Sequence, residues 1–256
     1  MNIKIIVATH KPYFMPDDPA YIPVQAGADI NPLLPYTGDN SGENISAKNR
    51  NFCELTCLYW AWKNLEADFL GLVHYRRHFS GKYARDPRKR IITSGELEKL
   101  LSSCDIIMPK KRNYFIESNF QQYVHAHHIE DLQVTRAVIS EKYPDYLTAF
   151  DTVMKRTSGY RFNMCIMKKP LFDAYCSWLF DILFEVEKRL DISNYSAYDA
   201  RVFGFISERL LDIWIEKNNF RTAALPLVNL ESQHWGKKIC NFLLRKISGG
   251  KWGRTH

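Results

Sequence analysis

The sequence predicts an α/β fold: a single domain with a mostly parallel central sheet and a helix-rich C-terminal half. Short β-branched apolar runs alternate with a helix-period segment through the first 110 residues, the pattern of a parallel sheet with crossover helices. Beyond residue 113 the strands thin out and long amphipathic stretches take over. A length of 256 residues with 46% apolar and 14% aromatic content is ample for one large core.

The elements follow in order. Ile3 to Ala8 reads as a first strand, closed by Thr9-His10-Lys11-Pro12, where the proline ends the pairing. Residues 12–45 are rich in Pro, Gly, Asp and Asn and read as a long surface excursion. Ser46 opens a predicted helix that runs to Lys63-Asn64, with Phe52, Leu55, Tyr59 and Trp62 on one face. Asp68 to Val73 is a buried strand that ends abruptly in His74-Tyr75-Arg76-Arg77-His78, followed by a basic loop to Arg90. Ser94 and the acids after it start a short helix to Ser102, and Cys104 to Met108 is a strand stopped by Pro109. Tyr123–Ser140, Tyr143–Lys155, Leu171–Leu190 and Asp199–Glu216 read as helices, Met164–Lys168 and Thr222–Pro226 as strands. The domain is expected over 1–230, with a basic amphipathic tail over 231–256.

Composition narrows the partners. The net charge of +7 favours an anionic ligand, and the cations concentrate in Arg76–Arg90, Lys110-Lys111-Arg112 and Lys237–Arg254. No zinc-finger spacing, RNP-like signature or basic zipper accompanies them, so nucleic acid is not an expected partner. The six cysteines form no CxxC pair and mostly sit in apolar runs, as reduced core residues do. No apolar run is long enough to span a membrane and the N-terminus lacks signal-peptide features, so the expected location is cytoplasmic.

Ligands of open α/β sheets bind at the carboxyl ends of the strands. His10 and Lys11, Arg76 and Arg77, and Lys110 and Lys111 all fall at that edge. Paired guanidinium groups there suit phosphate oxygens, which they hold through charge-assisted hydrogen bonds. The competing reading of HYRRHF is a solvated turn.

The segments VATHKPY, NISAKNRNFCELTCLYWAWKN, FLGLVHYRRHF, RFNMCIMKKPLFDAYCSWLF and DISNYSAYDARVFGFISERLLDIWI together resemble the bacterial capsular and exopolysaccharide glycosyltransferases long known only as a domain of unknown function. The resemblance covers residues 3–230. It implies a GT-A-like fold and transfer of a hexose, galactofuranose or galactopyranose favoured, from a UDP-sugar to a growing capsular, exopolysaccharide or O-antigen glycan on a lipid-linked acceptor. One departure stands out: Arg161-Phe162-Asn163-Met164 has no glycine before the Asn-Met pair, where the family leads one to expect it.

GT-A enzymes commonly hold a divalent metal on an Asp-x-Asp motif after a central strand. This sequence has none, and Glu66-x-Asp68 precedes the strand instead of following it. The expectation is therefore a metal-independent enzyme, with manganese or magnesium kept as the alternative. In it Arg76 and Arg77, with His74, neutralise the departing UDP, and Thr9, His10, Lys11, Asn163 and Arg201 complete the donor site. Ser46, Lys48 and Asn49 either contact nucleotide at a helix start or simply cap it. The run His125-Ala-His127-His128-Ile-Glu130-Asp131 lacks the spacing of a four-ligand metal site; His127 and His128 are candidates for nucleotide or acceptor contact. An inverting transfer needs a carboxylate base, and placement favours Asp199, with Asp131 second. Arg201 and Glu208, seven apart, suggest an ion pair or a phosphate contact, and Arg209 reads as structural. The tail sets Ile239, Phe242, Leu243 and Ile247 against lysines and arginines, which fits either an interfacial helix or a docked one. A binding domain for carbohydrate or an anionic ligand, with the fold and no chemistry, is the alternative function.

Overall fold

A computed structural model of the chain describes residues 1–231, so the interfacial reading of the tail lies outside the described residues. The chain forms β1 (Ile3–Thr9), β2 (Tyr21–Gln25), β3 (Thr37–Gly38), α1 (Asn49–Phe52), α2 (Leu55–Asn64), β4 (Phe69–His74), β5 (Arg77–Phe79) and α3 (Ser94–Leu101). It continues through β6 (Ile106–Pro109), β7 (Arg112–Asn113), α4 (Asn119–Val124), α5 (Ile129–Lys142), α6 (Leu147–Lys155), β8 (Ser158–Gly159) and β9 (Cys165–Lys168). It ends in α7 (Lys169–Arg189), α8 (Val202–Asn218), β10 (Thr222–Leu225) and β11 (Leu227–Asn229).

The main sheet runs β10-β6-β9-β4-β1-β2-β3. All its neighbours are parallel except β9, which lies antiparallel between β4 and β6. Strand alternation divides the core in two. Ile6, Ala8, Leu70, Leu72, Ile106, Cys165 and Met167 face the layer of α2, α7 and α8, while Ile5, Val7, Phe69, Val73, Ile107 and Ile166 face α3. The sheet is thus buried on both sides, which is why its strands read as continuous apolar runs. A GT-A-like single α/β domain with a mostly parallel sheet and a helix-rich second half is what the sequence led us to expect.

Several boundaries differ from the expected ones for local reasons. The excursion 12–45 contains β2 and β3: Pro23 and the surrounding Gly and Pro hid them, yet β2 pairs in register with β1, and at Pro23 no third strand needs its missing N–H. The helix expected over 46–64 breaks at Cys53 (φ 51°), where the Asn49 amide donates to the Cys53 carbonyl at 2.7 Å and ends α1. The helix expected from Tyr123 is two: a Ser118/Gln121 capping box starts α4 early, and residues 125–128 turn before α5. The loop expected after Val73 is a tight hairpin, with Tyr75 and Arg76 at its turn and β5 paired to β4 and β11. The α3 cap is Thr93, which forms a capping box with Glu96, one residue before the serine the sequence suggested. Among the described residues the cysteines are free, and Cys57, Cys104, Cys165 and Cys176 are buried, as expected of core residues.

One buried charge ties the sheet edge to α8. Asp212 accepts the Tyr160 N–H at 2.8 Å and lies 3.6 Å from the Lys111 ammonium. It approaches so closely that a Cβ at Gly159 would stand 2.6 Å from its Oδ2, so only glycine fits there. Burial pushes the Asp212 carboxyl up to about 6, opposed by Lys111 and the Tyr160 N–H. A carboxyl raised in this way supports the fold while protonated; that contribution is complete below its ordinary value of 3.8 and is lost as the pH rises through about 6. Asp212→Asn should therefore gain on the wild type by about 1–3 kcal/mol as the buffer moves from about pH 4 to about pH 7.5. Urea unfolding at both values checks this, and parallel pH slopes for the two proteins would refute it.

Candidate active site

The carboxyl edge of β1 and β4 gathers the cations. Thr9 is buried, and its hydroxyl donates to the Lys11 carbonyl at 2.6 Å while accepting the Lys11 N–H at 3.3 Å. That turn places His10 edge-on to the buried Tyr75 ring at 5.2 Å and the Lys11 ammonium 5.1 Å from the same ring. Arg76, at the hairpin turn, reaches Glu231 at 3.5 Å, and Lys11 reaches the same carboxylate at 3.4 Å. Burial, then Lys11, Arg76 and Arg201, hold the His10 pKa below the usual imidazole value. His10 is therefore a neutral ring within a field of several cations.

Arg77 opens β5 and lays its guanidinium over the Phe162 ring at 4.2 Å. Burial lowers its pKa, as do Arg76 and Arg161, against Glu208. Its Nε has no hydrogen-bond partner among the described residues. Phe162 and Asn163 both take left-handed backbone conformations, φ 73° and 53°. Phe162 is the residue just before the Asn-Met pair, where a glycine was expected, and at φ 73° a glycine would sit without a Cβ penalty. Here the ring under Arg77 occupies that position.

The Asn163 side chain is buried and fully engaged. Its amide donates to Glu54 at 2.8 Å and to the Gly204 carbonyl at 3.1 Å, and its oxygen accepts the Ser207 hydroxyl at 2.8 Å. The His74 Nε2–H donates to the Phe162 carbonyl at 2.6 Å, and Glu54 lies 3.9 Å from the same nitrogen. The Phe162 N–H goes to Glu208 at 3.0 Å. Asn163 thus acts on the site by shaping its turn, and His74 by fixing that turn to β4.

The acceptor-side candidates come together around the turn before α8. Asp199 is 8% exposed, at the head of the 3-10 turn Asp199–Arg201, and its Oδ2 accepts the Ser196 hydroxyl at 2.7 Å. His127 Nδ1 lies 3.9 Å from one Asp199 oxygen and His128 Nε2 lies 3.8 Å from the other. The His127 ring stacks on Phe205 at 4.1 Å, the His128 ring on Tyr195 at 4.0 Å. Burial lowers the His127 pKa to about 4 despite Asp199, so this imidazole stays neutral at neutral pH. Arg201 contributes, behind burial, to lowering the pKa of both His10 and His127.

Other expectations need correction. His127 and His128, expected within a helix from Tyr123, lie in the turn before α5, and Asp131 is buried with its oxygens accepting from Tyr123 at 2.9 Å and Tyr195 at 2.7 Å. It is tied to the helix that follows the histidine turn, with each carboxylate oxygen accepting one tyrosine hydroxyl inside the fold. Ser46 is buried, accepts the Asp29 N–H at 3.1 Å and donates to Asp39, so its hydroxyl organises the excursion. Lys48 pairs with Glu187 at 2.6 Å, and the Asn49 amide serves Cys53 and Thr56. The Ser46 hydroxyl and both Asn49 amide hydrogens are thus engaged within the fold, while the half-exposed Lys48 ammonium keeps donors beyond its pair with Glu187. Arg201 lies in the 3-10 turn before α8, where its Nε meets the Cys53 sulfur at 3.2 Å, and among the described residues the ion pair to Glu208 expected from the spacing is not formed. Sequence reasoning missed Tyr75, Glu54, Arg161 and Glu231; only Tyr75 carried a signal, inside HYRRH.

A divalent metal does not fit where an Asp-x-Asp would stand. β4 ends in His74, whose Nε2 is hydrogen-bonded to the Phe162 carbonyl, and is followed by Tyr75, Arg76 and Arg77, of which the guanidinium groups donate hydrogen bonds and offer no lone pair. Among the described residues no three of His, Cys, Asp and Glu converge to hold a metal ion.

One solved structure, the WbbM bifunctional glycosyltransferase in its apo form, superposes with a TM-score of 0.85 at 31% identity over 91% of this chain. The chain spans 46% of that protein's length. No protein with a curated description matches the sequence. Residues 4–219 match a family model described as domain of unknown function DUF4422, and the chain belongs to that family.

Proposed function

We propose that this domain is an inverting glycosyltransferase that moves a hexosyl group, galactofuranose or galactopyranose favoured, from a UDP-sugar to a growing bacterial surface glycan without a metal ion. The observation that carries the reading is the likeness to a bifunctional glycosyltransferase, with cations where a metal-binding motif would otherwise lie. Lys11, Arg76, Arg77 and Arg201 hold the donor diphosphate. The acceptor oxygen attacks the anomeric carbon, the bond to the diphosphate oxygen breaks, and UDP leaves with the electron pair among these cations. Asp199 takes the acceptor proton. His127, neutral and stacked on Phe205, holds the wall beside it without competing for that proton. A lipid-linked glycan is the acceptor in this reading, which would place the reaction at the cytoplasmic face of the membrane.

Turnover tests the assignment. UDP-galactofuranose, UDP-galactopyranose and UDP-glucose are offered with a lipid-linked or synthetic acceptor in EDTA, and UDP release is followed. Release from one galactosyl donor is expected. Asp199→Asn should lower it by about 10²–10⁴-fold with UDP affinity unchanged. An active Asp199→Asn enzyme would remove Asp199 from the base role, and release that requires manganese would remove the arginines from theirs.

Phe162→Gly separates backbone from ring. The left-handed φ becomes easy, so thermal stability should hold, while the loss of the ring beneath Arg77 should weaken UDP binding by roughly 3–30-fold. Unchanged UDP affinity in a folded Phe162→Gly protein would show that Arg77 does not contact the donor.

A further inference from the structure

Beside the candidate site, the turn between β7 and α4 shows two apolar side chains to solvent. Phe115 is 82% and Ile116 69% exposed, in direct succession. The turn is held by three backbone N–H hydrogen bonds. The Tyr114 N–H goes to the Thr157 carbonyl at 2.7 Å, the Phe115 N–H to Asn113 Oδ1 at 2.7 Å, and the Ile116 N–H to the Tyr114 carbonyl at 2.8 Å. Phe115 takes φ 62°, a conformation that Gly or Asn adopts far more readily than a bulky aromatic. The fold therefore holds a large apolar ring outward where a small polar residue would be the easier choice.

The base of this turn is cationic. Lys110, Lys111 and Arg112 are exposed and follow the carboxyl end of β6. Arg112 pairs through its backbone with Gly159, two residues before Arg161. The Arg112 and Arg161 guanidinium groups both lie over the Tyr114 ring, at 5.9 and 5.6 Å. Asp212 pairs with Lys111, and Glu117 with His125 at 3.4 Å; Lys110, Arg112 and Arg161 have no carboxylate partner among the described residues. An apolar tip ringed by unpaired cations complements a surface that is anionic outside and apolar within.

We propose that the Tyr114–Glu117 turn, with Lys110, Lys111, Arg112 and Arg161 at its base, docks this edge of the protein on an anionic lipid surface, with Phe115 and Ile116 entering the headgroup layer. Arg161 adjoins Phe162, whose carbonyl holds His74, so docking here presents the candidate site to the membrane plane. The inference stands apart from the transferase reading, since it rests on this turn and the cations at its base.

Flotation of the full-length chain with vesicles tests it. Binding to phosphatidylglycerol–phosphatidylcholine vesicles and weak binding to phosphatidylcholine alone are expected. Phe115→Asn with Ile116→Ser should lower the partition at least about tenfold, and Asn suits the left-handed turn, so the melting temperature should hold. Lys110→Glu with Arg112→Glu should also lower it at least about tenfold and flatten its salt dependence. No binding by the wild type, equal binding to neutral vesicles, or wild-type binding by the folded Phe115→Asn/Ile116→Ser protein would overturn the proposal. So would a variant that alters the mass of the protein in solution and leaves flotation intact, because the turn would then contact a second copy.

Discussion

The Asn163 amide holds together parts of the chain that are far apart in sequence. One side chain joins Glu54, where the first helix has just broken, to Gly204 and Ser207 on α8, while the neighbouring Phe162 carbonyl takes the His74 N–H at the end of β4. A buried amide left without these partners costs on the order of 1–3 kcal/mol, so the network is formed as a unit or not at all. It fixes a left-handed turn at the start of β9. Through that turn it fixes the Phe162 ring, and on the ring rests Arg77. The broken helix at Cys53, the hairpin after β4 and the placement of Arg201 against Cys53 all converge on the same few ångströms.

Around this scaffold the charge is deliberately unbalanced. Lys11 and Arg76 share the single carboxylate of Glu231, and Arg77 has only Glu208 nearby among the described residues. Burial first, and the neighbouring cations after it, lower the pKa values of Arg77 and His10. An incoming dianion would relieve the repulsion among these cations. The histidines show the complementary arrangement: His127 is buried and kept neutral, and Asp199 stands between the two rings with an oxygen toward each. In the proposed reading the cationic end takes the phosphates and the Asp199 end takes the proton.

The architecture was legible where side-chain period dominates. Strands β1, β4, β6 and β9 and helices α7 and α8 are buried on defined faces, and their apolar patterns identify them. The cation pairs at the strand ends were legible too, because a parallel sheet fixes which edge they occupy. What escaped were features decided by tertiary contact. Asp131 looks like an available acid until Tyr123 and Tyr195 close on it, and Ser46 looks like a cap until Asp39 claims its hydroxyl. Pro23 hid a strand that needs no donor at that point, and Glu54 carried no motif at all. The missing glycine at Phe162 was visible as a departure, but its meaning required the backbone angle.

The central claim is that the carboxyl edge of β1 and β4 reads a diphosphate with guanidinium and ammonium groups alone. Calorimetric titration of uridine, UMP and UDP into protein stripped with EDTA measures this directly. Affinity should climb with each added phosphate, by at least about tenfold per step for charge-assisted bonds worth about 1.5–3 kcal/mol, and should fall as salt is raised. Equal affinities for the three ligands, or a phosphate dependence that appears only after manganese or magnesium is restored, would contradict it.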